Sequence, residues 1–259
     1  MALLRMSVFS QSLSKNADIN LIVPDCDPPS TGYQVMYLLH GYTGDCSDWS
    51  RMSLIERYVS DTQVVVVMPS CGNGFYTDAV HGEKYWSFLS AELPELISRY
   101  FPVSKRREDT FAVGLSMGGY GAVKLGLRFP HRYGYVGSFS GVLDIAKVRQ
   151  MWTENPELVP NCNTVPDFYA IFGEEEAFTG SQDNLFALID SVPPDCRPQI
   201  ALLCGNHDFL LEINRNFYQT MQAAGLPCRY REFEGGHDWT FWNTSLAETI
   251  HWLPLIRAY

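Results

Sequence analysis

Short apolar runs alternate with amphipathic stretches along most of this chain. Val35 to Leu39 and Val64 to Met68 are unbroken apolar runs, the pattern of strands buried on both faces. Phe111 to Val113, Tyr135 to Ser138, Phe168 to Phe172, Gln199 to Cys204 and the more charged Cys228 to Phe233 extend the strand series. Ser7 to Leu13 and Asp18 to Val23 read as an antiparallel opening pair, closed by Pro24 and the Pro28-Pro29 turn. Helical spacing is expected over Ser53 to Val59, Ala122 to Phe129, Phe209 to Tyr218 and a terminal segment holding His251. Glu83 to Tyr100 carries Trp86, Leu89, Leu93, Leu96 and Ile97 at helical intervals, with Pro94 set to kink it or start a new turn. This alternation predicts an α/β fold, a mostly parallel central sheet with helices on both faces. A chain of 259 residues suits one such domain.

Two segments interrupt the alternation. Ser70 to His81 is Gly-rich and follows a strand, so it is expected to border the functional face, with Phe75 and Tyr76 as pocket walls. Residues 144–166, rich in Met, Trp, Asn and Pro, have weak periodicity and read as a small cap insertion, in which Trp152 either packs or touches substrate.

The chemistry is concentrated in Gly114-Leu115-Ser116-Met117-Gly118, a G-x-S-x-G pattern between a strand and a helix. A nucleophile elbow needs that context, because a strained strand-to-helix turn lifts the serine Oγ clear of the sheet. The flanking glycines let strand and helix approach at the turn, and Ser116 stands where free helix N–H groups can face a developing oxyanion. The same five residues also occur by chance in Gly- and Ser-rich loops.

An α/β-hydrolase places its triad in the order Ser, acid, His. His237 lies in Glu234-Gly-Gly-His-Asp-Trp239, whose glycines would let the loop fold back over the serine, and it is the expected base. His131 reads as a solvated residue after the elbow helix, and His251 as part of the terminal helix. Asp208 ends the Gln199 to Cys204 strand and is the expected acid, since strand C-terminal ends face the functional crevice. Its bland reading is a turn-former or helix cap. Asp238 is too near His237 in sequence to reach back, and Asp195 precedes the strand.

An oxyanion hole would combine the N–H of Met117 with that of Tyr42, from the His40-Gly41-Tyr42-Thr43-Gly44 loop after another strand. The Tyr42 side chain is a further candidate for substrate contact, and His40 reads as a residue that holds this loop.

Composition narrows the partners. The formal charge is −10 with pI about 5.0, which argues against nucleic acid or an anionic membrane surface and gives no reason to expect an anionic substrate. A homo-oligomer stays open. The seven cysteines show no CxxC or Cys/His ligand spacing, and the start lacks the apolar core of a signal peptide. A reduced, cytoplasmic protein is therefore expected.

Leu38 to Asp45, Gly114 to Ala122, Cys204 to Leu210 and Gly235 to Trp239 together resemble the esterase D group of α/β-hydrolases, from about residue 7 to the C-terminus. The likeness is strongest to the bacterial tributyrin esterases; the group also holds feruloyl esterases, S-formylglutathione hydrolases and mycolyltransferase relatives. The resemblance implies a serine carboxylesterase for short acyl esters without metal or organic cofactor, with its triad at Ser116, Asp208 and His237. The His40-Gly41-Tyr42-Thr43-Gly44 loop has the tributyrin-esterase form, which places formylglutathione hydrolysis second. Acetyl and feruloyl esters of plant polysaccharide fragments, and acyl transfer, remain open. An inactive hydrolase fold used for binding is the non-enzymatic alternative.

Overall fold

A computed structural model describes residues 1–158, 164–174 and 178–258. Among them, one eight-stranded sheet runs β1 (Ala2–Ser10), β2 (Lys15–Val23), β4 (Val64–Pro69), β3 (Gln34–Leu39), β5 (Thr110–Leu115), β6 (Tyr135–Phe139), β7 (Gln199–Gly205) and β8 (Cys228–Phe233) in spatial order. β1 and β2 pair antiparallel, as does β2 with β4, and every later pair is parallel. The opening hairpin turns at residues 11–14, so its first strand lies nearer the N-terminus than the expected Ser7 to Leu13.

β3, β4 and β5 are buried at every position. Their side chains alternate between two apolar layers, as the two-residue period of a strand requires. Val35, Tyr37, Leu39, Val65, Val67 and Ala112 face one layer. Met36, Leu38, Val64, Val66, Phe111 and Val113 face the other. This second layer is covered by α1 (Asp48–Met52), α2 (Ile55–Tyr58) and the terminal helix α10 (Trp239–Trp252), through Trp49, Ile55, Phe241, Leu246 and Ile250. The first is covered by α4 (Leu93–Tyr100), the elbow helix α5 (Met117–Arg128), α6 (Ile145–Glu154), α7 (Thr164–Phe172), α8 (Leu185–Ile189) and α9 (Leu211–Ala223).

The helix expected over Ser53 to Val59 is the shorter α2, and a second short helix, α1, precedes it, the two separated at Ser53 and Leu54. The Ser53 hydroxyl donates to the Trp49 carbonyl there, a local bond that competes with helix continuation. α3 (Tyr85–Ser87) runs into α4 through a π-helical stretch, Phe88–Glu92, just ahead of Pro94. Proline has no N–H to offer the carbonyl four residues back, that of Ser90, and the Arg132 guanidinium bonds that carbonyl instead.

Phe168 to Phe172 is helical rather than a strand. A five-residue apolar run fits either period, and here the decisive contacts recur at four-residue spacing. Phe168 and Phe172 stack at 5.8 Å and both pack on Phe75, at 5.1 and 5.7 Å, while Tyr169 between them is exposed. The segment 144–166 expected to form a cap supplies α6 and the start of α7; residues 159–163 lie outside the described part.

Candidate active site

Four strand ends converge on one crevice. The loop after β3 carries Gly41 and Tyr42, the turn after β5 carries Ser116, β7 leads to Asp208, and β8 leads to His237. These are C-terminal ends of parallel strands, β3 itself and three strands on its β5 side, starting at the point where the strand order reverses.

The elbow is visible in its backbone. Ser116 has φ 51° and ψ −117°, a conformation that non-glycine residues seldom adopt. Its N–H is held by the Phe139 carbonyl at 2.8 Å, and its own carbonyl accepts from Tyr120 and Val142 N–H. The flanking glycines are sterically required. A Cβ on Gly114 would stand 2.4 Å from the Gly118 carbonyl oxygen, and one on Gly118 would stand 2.4 Å from that of Leu39. The second contact presses the elbow helix onto the end of β3 and brings the oxyanion-loop candidate to the serine. An ideal Cβ on Gly41 would lie 3.6 Å from the Ser116 Cβ.

His237 Nε2 lies 3.0 Å from Ser116 Oγ, and Nδ1 lies 3.0 and 3.2 Å from the two Asp208 carboxylate oxygens. A carboxylate only accepts, so Nδ1 carries the proton and Nε2 is left to accept from the serine hydroxyl. The Asp208 side chain is wholly buried and that of His237 is one-fifth exposed, at 20%. Burial alone would push the Asp208 carboxyl up, but the hydrogen bond and charge of His237, with the Leu210 N–H at 2.8 Å, outweigh it and hold it below its ordinary value.

Both loops are braced. Gly235 N–H donates to Asn206 Oδ1, the Asn206 side-chain amide donates to Glu234, and His207 N–H donates to the Gly235 carbonyl. Asp238, the next residue, caps α10 by accepting from Thr240 and Phe241 N–H at 2.9 and 3.1 Å, so its carboxylate serves the helix rather than the imidazole. On the other side of the ring, Phe209 and Trp242 pack at 4.6 and 4.9 Å between centroids. His131 and His251 stay away from the crevice, the latter bonded to the Ala247 carbonyl within its helix.

A cavity of about 570 Å³ opens over Ser116 and His237. Tyr42 and Trp152 line it, and their rings meet at 5.9 Å. The Tyr42 hydroxyl donates to Asp167 at 2.5 Å, tying the loop after β3 to α7. Phe75 and Tyr76 do not line it. Both are fully buried, with Phe75 behind Tyr42 and Trp152 and the Tyr76 hydroxyl donating to the His40 carbonyl. Their aromaticity suggested a pocket, but the left-handed backbone at both residues turns the rings into the core. His40 does hold the loop: Cys71 N–H donates to its Nε2 at 3.0 Å, and Nδ1–H donates to the Gly41 carbonyl at 2.7 Å.

The sequence reading missed Asp48, Val142, Phe209, Trp239 and Trp242 in the lining. Phe209 and Trp239 could have been found, since they directly follow the acid and the base by one and two positions. Trp242 stands four residues after Asp238, on the same face of α10. Asp48 and Val142 carry no such signal.

A family model described as "Putative esterase" matches residues 10–253. The chain belongs to this esterase family. The esterase is 33% identical over 269 residues to the acetyl esterase of Caldicellulosiruptor saccharolyticus, covering 99% of each chain. Its fold superposes on an S-formylglutathione hydrolase of Staphylococcus aureus with a TM-score of 0.85 at 25% identity, covering 97% of this chain and 98% of that one. It also matches the fluorophosphonate-binding serine hydrolase F of the same organism, with a TM-score of 0.86 at 24% identity over 97% and 98% of the two chains. A ferulic acid esterase gives 0.80 at 24%, over 97% of both. The esterase is therefore a carboxylic ester hydrolase with an α/β-hydrolase fold. No helix among its described residues is long and apolar enough to cross a membrane.

Proposed function

We propose that the protein is a serine carboxylesterase for short acyl esters, working through an acyl-enzyme at Ser116. The observation that carries this reading is the hydrogen-bonded line Ser116 Oγ, His237, Asp208, with 3.0 Å at each of its two joints. His237 Nε2 takes the hydroxyl proton as Oγ attacks the ester carbonyl carbon, and Asp208 stabilises the resulting imidazolium. The N–H groups of Met117, first residue of α5, and of Tyr42 hold the tetrahedral oxyanion. The imidazolium returns its proton to the departing alcohol. Water, deprotonated by the same nitrogen, then releases the acid and regenerates the serine.

Short acyl groups are favoured because Tyr42 and Trp152 place two bulky rings on the cavity beside the serine, with α6 and α7 as a cap behind them. The acetyl-esterase relative supports the same size class. Acetyl or feruloyl esters of plant polysaccharide fragments are the second reading, favoured by the aromatic lining of Phe209, Trp239 and Trp242.

A p-nitrophenyl ester series from acetate to decanoate, with methyl ferulate beside it, tests both. Turnover greatest on the shortest chains and lost in Ser116→Ala supports the first reading. Methyl ferulate turned over faster than the acetate supports the second, and a preference for decanoate contradicts both.

A further inference from the structure

Lys124 is a fully buried lysine in the interior of the elbow helix, two turns beyond Ser116. A buried ammonium is costly unless each of its donors is met. Here all three are: Nζ lies 2.5 Å from Asp183 Oδ1, 3.1 Å from the Tyr76 carbonyl oxygen and 2.9 Å from Thr77 Oγ1. The Trp86 ring lies 4.4 Å from Nζ as a further cation partner.

What the lysine grips is unusual backbone. Phe75 and Tyr76 are consecutive residues with φ of 48° and 49°, a region that aromatic side chains rarely occupy. Such a turn persists only when its surroundings hold it. Two of those restraints come from α5: Lys124 on the Tyr76 carbonyl, and Gly121, where a Cβ would stand 2.6 Å from the Tyr76 ring. Held in this way, Tyr76 sends its hydroxyl 2.8 Å to the His40 carbonyl. His40 in turn fixes the Gly41 carbonyl through Nδ1–H and the Cys71 N–H through Nε2.

We infer that Lys124 is a positioning residue for the oxyanion loop, acting through Tyr76 and His40 on the peptide units of Gly41 and Tyr42. One helix thus presents Ser116 and Met117 at its start and, two turns on, anchors the turn that sets the opposing donor. Burial pulls the lysine down to about 8 against the attraction of Asp183, so the ammonium prevails at neutral pH. The inference rests on the serine-esterase reading above, in which Tyr42 N–H meets the oxyanion.

The test measures kcat and KM for p-nitrophenyl acetate with wild type, Ser116→Ala, Lys124→Met, Tyr76→Phe and the double variant Lys124→Met/Tyr76→Phe. All are assayed well below their unfolding temperatures. Loss of activity in Ser116→Ala is the control, and its persistence there would sink the serine reading itself. Given that control, Lys124→Met and Tyr76→Phe should each lower kcat by about tenfold to a hundredfold with KM within about twofold, the mark of a displaced transition-state donor. Because both act along one chain of contacts, the double variant should lose little more than the worse single one. Should Lys124→Met fail to fold, Tyr76→Phe decides alone, since it removes only the hydroxyl that reaches His40. Wild-type kcat in the folded variants, or losses that multiply in the double variant, would overturn the inference while leaving the serine reading intact.

Discussion

Gly205 lies so close to Gly235 that a Cβ on the first would stand 2.3 Å from the carbonyl oxygen of the second. This contact joins the end of the strand that delivers Asp208 to the loop that delivers His237. A side chain at 205 must therefore push the two apart. Gly205→Ala is expected to lower kcat/KM for p-nitrophenyl acetate at least about tenfold, since small misplacements of reacting groups are costly. It should also destabilise the fold by about 1–3 kcal/mol through overpacking, read by urea unfolding. Unchanged activity would mean that the loop reaches the serine without this support.

Asp208→Asn keeps the shape of the acid and removes its charge. The amide can present N–H to Nδ1, which would leave Nε2 as the donor and unable to accept from Ser116. A fall in kcat on the order of 10⁴-fold is expected at neutral pH. Full activity in Asp208→Asn, with loss in Asp144→Asn instead, would assign the acid to Asp144, which in the structure caps α6 by accepting from Lys147 N–H.

The same aspartate makes a prediction about acid stability. Its folded-state carboxyl is held below its ordinary value despite burial, by His237 and the Leu210 N–H. The stability this contributes is present above the unfolded value of about 3.9 and is lost as pH falls through the depressed folded value. Urea unfolding of wild type should therefore weaken more steeply below about pH 4 than that of Asp208→Asn. Parallel curves for the two proteins would contradict this.

Trp152 is almost fully buried yet lines the cavity beside Tyr42. Trp152→Ala should open room for longer acyl chains, raising the decanoate-to-acetate ratio of kcat/KM, at a stability cost of about 3–5 kcal/mol. A ratio that stays at its wild-type value in the folded variant would move the acyl group to another part of the cavity.

Most of the sheet was legible because β3, β4, β5 and β7 are short, almost wholly buried apolar runs that alternate with longer amphipathic stretches. The candidate triad was legible because each member sits at a strand end whose glycines mark a forced close approach. The failures have a common cause in tertiary contacts that local pattern does not encode. Phe168 to Phe172 became a helix because Phe75 receives the rings four residues apart. Phe75 and Tyr76 went into the core because their backbone is left-handed, which no aromatic residue advertises. Lys124 sits in the buried, glycine-rich part of its helix, and its charge there was a signal of an acidic partner, Asp183, 59 positions away in sequence.

The central claim is that Ser116 is the nucleophile, and mapping a covalent adduct tests it most directly. The protein is treated with a fluorophosphonate, its residual esterase activity is followed, and the modified peptide is sequenced by mass spectrometry. One phosphonyl group per chain on Ser116, with activity lost in proportion to labelling, is the predicted result. A fully labelled protein that retains its activity, or an inactivating adduct on any other residue, would contradict the account.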